Sequence, residues 1–249
     1  MRARHEAMPA GVFERQGTSS THPVRLPSII GVEGIRYLDA TGLVRHRSIG
    51  DPMRYAVLNT GMDFIAHFGD FQPSPEQARY GKNGYRFSDE PLYALAMYSY
   101  SLSPPANPNR LDERALRGQR VFREQGCEGC HSPPLYTNNR LTAAAGFQVP
   151  DDLRKTDDIM ELSVGSDSVL ATRTRRGRGF CKAPSLRGVW RRSAFGHGGQ
   201  AASLEEWFDP ARVTDGYVAK GFHLAPGPIQ GHAFGLKLPA EDRAARSPS

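Results

Sequence analysis

Apolar residues return at helical spacing in several separate stretches of this chain, and capping residues bracket them. Leu92, Leu95, Ala96 and Ser99 share one face of a segment from about Asp89 to Leu102, where Ser88 is placed to cap and Pro91 fits the first turn. Upstream, Ser74, Pro75 and Gln77 form a capping-box start and Gly81 a stop. Leu111, Ala115, Gly118 and Phe122 follow at spacings of four, three and four, one stripe of a helix from about Asp112 to Glu124. Ser203 with Glu206 opens a short helix through Phe208 that Pro210 stops, and a last helix begins over Leu238 to Arg246. From Ser132 to Arg178 no helical or strand period persists, so something other than a plain hydrophobic core is expected to organise that stretch.

The run from Ser103 to Pro108, reading SPPANP, is expected to be extended and to join two units. These are a partial helical unit over 1–103 and a second unit over 109–246. A short internal echo links them: Pro27, Ser28, Ile29, Ile30, Gly31 and Val32 match Pro184, Ser185, Leu186, Arg187, Gly188 and Val189. In both places a turn containing glycine follows, Ala40 to Gly42 and Gly196 to Gly199, and then a helix-like segment. Duplication would make the first unit the tail of a second copy of the same domain.

Composition narrows the classes. The chain has 249 residues, 39% hydrophobic and 23% charged, enough for one or two ordinary cores. Lys and Arg exceed Asp and Glu by 32 to 26, a mild excess that does not amount to a nucleic-acid-binding tail. Three cysteines exclude a framework of several disulfides, and no run of about 18 apolar residues can span a bilayer. Residues 1–27 are polar and do not read as a secretory leader.

The chemistry is concentrated at Cys127, Glu128, Gly129, Cys130 and His131, the attachment sequence for c-type haem. One turn of chain must present two thiols to the two vinyl carbons of a porphyrin while the imidazole behind them reaches the iron. The bland alternative is two cysteines that happen to precede a histidine. The sharper one is a zinc-stabilised binding module, with Cys127 and Cys130 as one knuckle completed by Cys181 and one of His197, His223 or His232.

Three segments in order resemble the C-terminal haem domain of the di-haem cytochrome c peroxidase and MauG family. They are the helix Gly118 to Phe122 with its attachment motif and Tyr136 to Asn139, then Phe180 to Arg187, then Phe195 to Gly199 with Ser203 to Glu206. The resemblance implies a mostly helical, cytochrome c-like haem domain carrying one covalent haem c on Cys127 and Cys130, with His131 as proximal iron ligand. It also implies a possible calcium ion, small redox proteins or other cytochromes as partners, and a periplasmic location, because haem c is attached outside the cytoplasm in bacteria. Nucleic acid and a membrane span are not expected. Family peroxidases use two haems, so a second haem domain is expected upstream of Met1, or lost.

The pattern departs in instructive places. Relatives carry a Met or Tyr shortly after the Leu-Glu-Glu helix as the second iron ligand, but here Trp207 to Ala211 offers none. The sixth position is therefore open, filled by water, or taken by His197, His223 or His232. The expected role is one-electron transfer; the alternative, with an open iron, is hydrogen peroxide reduction, for which Glu205 or His197 would be the acid–base candidates. The last helix is shorter than in relatives, which marks the second unit as truncated. Among Arg173, Arg175, Arg176, Arg178, Arg191 and Arg192, one or two are expected to pair with the haem propionates. Cys181 is either buried or reactive.

Overall fold

The structure is a computed structural model that describes residues 6, 8, 12–13, 23–60, 87–174, 177–223 and 225–245. The helix start expected at Ser74 and its stop at Gly81 lie outside the described residues. Short strand β1 (Val12–Phe13) pairs antiparallel with β2 (Val24–Arg25), and β3 (Tyr37–Leu38) with β4 (Val44–Arg45). Helix α1 (Gly50–Thr60) packs on α2 (Asp89–Ser101). The α2 start differs from expectation in one detail: Ser88 stands at the cap position without using its side chain, while Asp89 and Glu90 put negative charge in the first turn, where it suits the helix dipole.

Residues 102–108 are free of regular structure. Helix α3 (Glu113–Glu124) follows, capped by the Asp112 carboxylate, which accepts from the Ala115 amide over 2.8 Å. The supposedly irregular stretch holds elements of two to six residues, too short to leave a period in the sequence. They are β5 (Leu141–Ala143), α4 (Asp151–Thr156), β6 (Ile159–Met160) and α5 (Val169–Thr172). Strand β5 is the centre of a three-stranded sheet, parallel to β6 and antiparallel to β7 (Phe180–Lys182). Helix α6 (Leu204–Trp207) begins at Ser203, whose hydroxyl accepts from the Glu206 amide over 3.2 Å. Helix α7 (Ala240–Ala245) closes against α3, with Arg117 reaching Glu241 and Asp242.

The two sides of the 102–108 segment share a core. Tyr37 packs with Leu141, Ile159 and Phe180, all nearly inaccessible to solvent, and Phe147 meets Phe180 edge-on. Polar stitches run alongside. The Tyr37 hydroxyl donates to Asp158, the Arg178 guanidinium donates to the Gly42 carbonyl, and the Lys182 ammonium donates to the Tyr37 carbonyl.

The sequence echo is also an echo of conformation. Gly31 and Gly188 both take left-handed backbone angles, with φ of 72° and 65°, and each starts a single 3-10 turn. Ser28 accepts from the Ile30 amide as Ser185 does from the Arg187 amide. Val32 bonds back to Ile29 as Val189 does to Leu186, and Ile35 to Val32 as Arg192 to Val189. The same shift along the chain carries the Leu38–Val44 strand pair onto the Phe195–Ala201 bridge, and the left-handed Asp39 and Gly42 onto Gly196 and Gly199. The copies also clasp reciprocally: the Arg25 amide donates to the His197 carbonyl over 2.8 Å, and the Lys182 amide to the Ala40 carbonyl over 3.1 Å.

Candidate functional site

Ala115, Gly118 and Phe122 on α3, with Leu111 just ahead of it, line a cavity of about 1280 Å³, above the ~300–1000 Å³ common for small-molecule pockets. The helix runs out directly beneath it. Left-handed Gly126 turns the chain, and a 3-10 turn over Cys127–Gly129 sets both thiols and His131 on the cavity wall. The His131 amide donates to the Cys127 carbonyl over 2.8 Å, so motif and turn are one unit. Burial pushes the Cys130 thiol up, with Cys127 adding to the effect.

His131 is buried, and burial pushes its imidazolium down, keeping the ring neutral near pH 7. Its Nδ1 lies 3.2 Å from the Tyr136 carbonyl, and the Pro184 backbone also bonds to the ring. Two of the family-like segments meet here. The Leu186 amide donates to the same Tyr136 carbonyl, the Thr137 hydroxyl donates to the Ala183 carbonyl, and the Ser185 hydroxyl donates to that of Leu135. Tyr136 itself takes a left-handed φ of 53° and stands edge-on to Phe122.

Three histidines were candidates to oppose His131, and the fold separates them. His223 is exposed and lies outside the cavity wall. His197 lies on the wall with a buried Nδ1 that has no hydrogen-bond partner, and burial lowers its pKa. His232 lies on the wall with its ring centre 6.2 Å from that of His131. His131 and His232 thus line the same cavity as both thiols. The cavity therefore fits a haem: two thiols, two imidazoles facing a common space, and a largely apolar wall that includes Phe122, Trp207 and Phe234.

His232 is held by a side chain that the sequence did not advertise. Arg212 is wholly buried, and its guanidinium donates to the carbonyls of Trp207, Ile229, Gly231 and His232. It also stacks over Trp207 at 4.3 Å, and Trp207 and Phe234 flank the His232 ring. His232 has a left-handed φ of 54°, and its amide donates to the Val164 carbonyl.

Several expectations need correction. Glu205 is exposed and outside the cavity; its neighbour Glu206 is the buried one, accepting from Tyr217, from the Lys220 amide and from the Ala202 amide rather than completing the capping box. Among the described residues no three His, Cys, Asp or Glu side chains converge as a group that could hold a metal ion. Of the basic run, Arg178 is committed to Asp157, Arg191 lies over Trp190, Arg173 is exposed, and Arg175 and Arg176 lie outside the described residues. Arg192 alone of the run's described members lines the cavity. It is joined by Arg25 and Lys182, which sequence reasoning missed although they occupy equivalent places in the repeat. Met160 was missed as well: its sulfur lies 3.7 Å from the Cys130 sulfur and 3.1 Å from the Asn138 amide nitrogen. Cys181 is buried.

Neither a protein-family model nor a curated protein sequence matches the chain. Solved structures do. One is a MauG-like protein associated with microbial copper homeostasis, 17% identical over 90% of this chain and 71% of that one, with a TM-score of 0.51. Another is the hydrazine synthase of Kuenenia stuttgartiensis, 14% identical over 96% of this chain and 75% of that one, with a TM-score of 0.50. The resemblance drawn from three short segments of the sequence is thus joined by a likeness in fold to a MauG-like protein that covers 90% of the chain.

Proposed function

We propose that this chain is a c-type cytochrome in which Cys127 and Cys130 would hold one haem and the His131 and His232 imidazoles would bind its iron. Its role is to pass single electrons between small redox proteins outside the cytoplasm. The observation that carries this reading is the 6.2 Å separation of the His131 and His232 rings in a cavity whose wall also bears both thiols. The likeness in fold to a MauG-like protein and to hydrazine synthase supports a haem-based redox role.

Bound haem would supply one-electron exchange at iron, at a potential set by its ligands and burial. The chain supplies the rest. The Tyr136 carbonyl, 3.2 Å from Nδ1, orients the His131 ring. Arg212 holds the loop bearing His232 by its carbonyl oxygens, so the second imidazole is positioned from behind. A strong second nitrogen ligand competes with peroxide for the iron, which favours electron transfer over peroxide reduction.

The test is expression behind an export signal with haem-attachment machinery. Pigment that stays with the denatured chain, a low-spin ferric spectrum, and conversion to a high-spin, peroxide-responsive form in His232→Ala are expected. Colourless protein would overturn the cytochrome reading, and a high-spin wild type would overturn the role of His232.

A further inference from the structure

We propose that Arg25, Lys182 and Arg192 form the cradle for the two propionate carboxylates of the haem, so that the N-terminal copy of the repeat completes the cofactor site of the C-terminal copy. This inference rests on the cytochrome reading above. All three side chains line the cavity. None makes an ion pair with a carboxylate among the described residues, whereas Arg36 and Arg178 nearby are each matched to an acid, Asp158 and Asp157. The acid that acts on Lys182 is Asp39, which already accepts from the Tyr55 hydroxyl and the Ala40 amide.

Their donors are under-used for groups at this depth. Lys182 gives one bond, to the Tyr37 carbonyl over 3.0 Å. Arg25 reaches only the adjoining Leu26 carbonyl, and its Nε is buried without a partner. Arg192 spends Nη2 on the carbonyls of Ser185 and Arg187. Burial holds all three below their ordinary pKa values, Lys182 at about 8 and Arg192 at about 10, and each of those two is pushed further down by Arg25. Cations crowded together with no carboxylate bonded to them are costly until an anion joins them. A haem brings two carboxylates, and guanidinium groups pair with carboxylates through parallel hydrogen bonds.

The repeat explains how the cluster is built. Arg25 and Lys182 are equivalent residues, and their amides make the reciprocal bonds to His197 and Ala40 that clasp the copies together. Each copy thus delivers one cation to the same cleft, and Arg192 joins from the 3-10 turn that follows Gly188.

Matured holoprotein tests this. Neutralising Arg25→Gln, Lys182→Gln or Arg192→Gln leaves carboxylate charge uncompensated and favours the ferric state. Each is expected to weaken reduction at least tenfold, a fall of about 59 mV for one electron. Wild-type potentials in all three overturn the cradle. The relocated charges in Arg25→Lys, Lys182→Arg and Arg192→Lys are expected to move the propionate carboxylate bands in the ferric-minus-ferrous infrared spectrum. Unchanged bands overturn the proposal even where a Gln variant fails to mature. Wild-type protein that carries no covalent pigment when denatured is a failure of the cytochrome reading itself, registered before any potential is measured.

Discussion

The Arg212 guanidinium donates to the His232 carbonyl over 2.8 Å, so a fully buried cation sets where a histidine twenty positions later comes to rest. The same guanidinium serves three further carbonyls, and no other side-chain type carries enough N–H donors to satisfy all four. Arg212→Met would keep much of the volume and strand those oxygens at ~1–3 kcal/mol each. We expect a loss of at least about 3 kcal/mol in denaturant unfolding, with a partly high-spin ferric spectrum as the His232 loop loosens. A loss under about 1 kcal/mol would show that water serves those carbonyls as well as Arg212 does.

Gly42 has a left-handed φ of 67°, and a Cβ built there would lie 2.4 Å from Cδ2 of the fully buried Leu141. Gly42→Ala should therefore cost more than the ~1–2 kcal/mol of left-handed strain alone, because Leu141 sits at the centre of the sheet and has little room to retreat. The unfolding midpoint measures this. A variant as stable as the parent would mean that Leu141 repacks freely.

Burial pushes the Cys181 thiol up to about 12. The thiolate is the reactive form, so Cys181 should resist alkylation in folded protein at about pH 8 and react at once in denaturant. Mass spectrometry of native and denatured samples decides it. Rapid native labelling at Cys181 would place the residue nearer to solvent than it lies here.

Burial pushes the carboxyls of Asp51 and Asp158 up, but the hydrogen bonds they accept outweigh it and hold both below their ordinary value of 3.8. Asp51 accepts from the Arg47 and Ser48 amides and from the Arg47 guanidinium; Asp158 accepts from Arg36 and Tyr37. With folded values depressed, their stabilisation is present above the ordinary carboxyl range and is lost as pH falls through the folded values. Asp51→Asn and Asp158→Asn should each flatten the drop in urea midpoint between about pH 6 and pH 3. An acid limb as steep as the parent's would assign it to other carboxyls.

Much of the site could be read along the chain, because its parts are local. The start of α3 near Asp112, the α3 stripe, the Cys127 to His131 turn and the Ser203 cap depend on residues within a few positions of one another, and backbone geometry alone relates them. The matching turns after Pro27 and Pro184 were visible for the same reason, since a left-handed glycine and a serine two residues from an amide act over one turn. Only the tertiary structure set the His232 ring 6.2 Å from that of His131 and left His223 outside the cavity, placed Arg212 behind His232, turned Glu205 outward, and gathered Arg25, Lys182 and Arg192 in one cleft. Those choices join residues from distant segments through packing and long-range hydrogen bonds. The strands between them, two or three residues long, are too brief to print a period in the sequence, so their partners are fixed when the common core forms around Tyr37, Leu141 and Phe180.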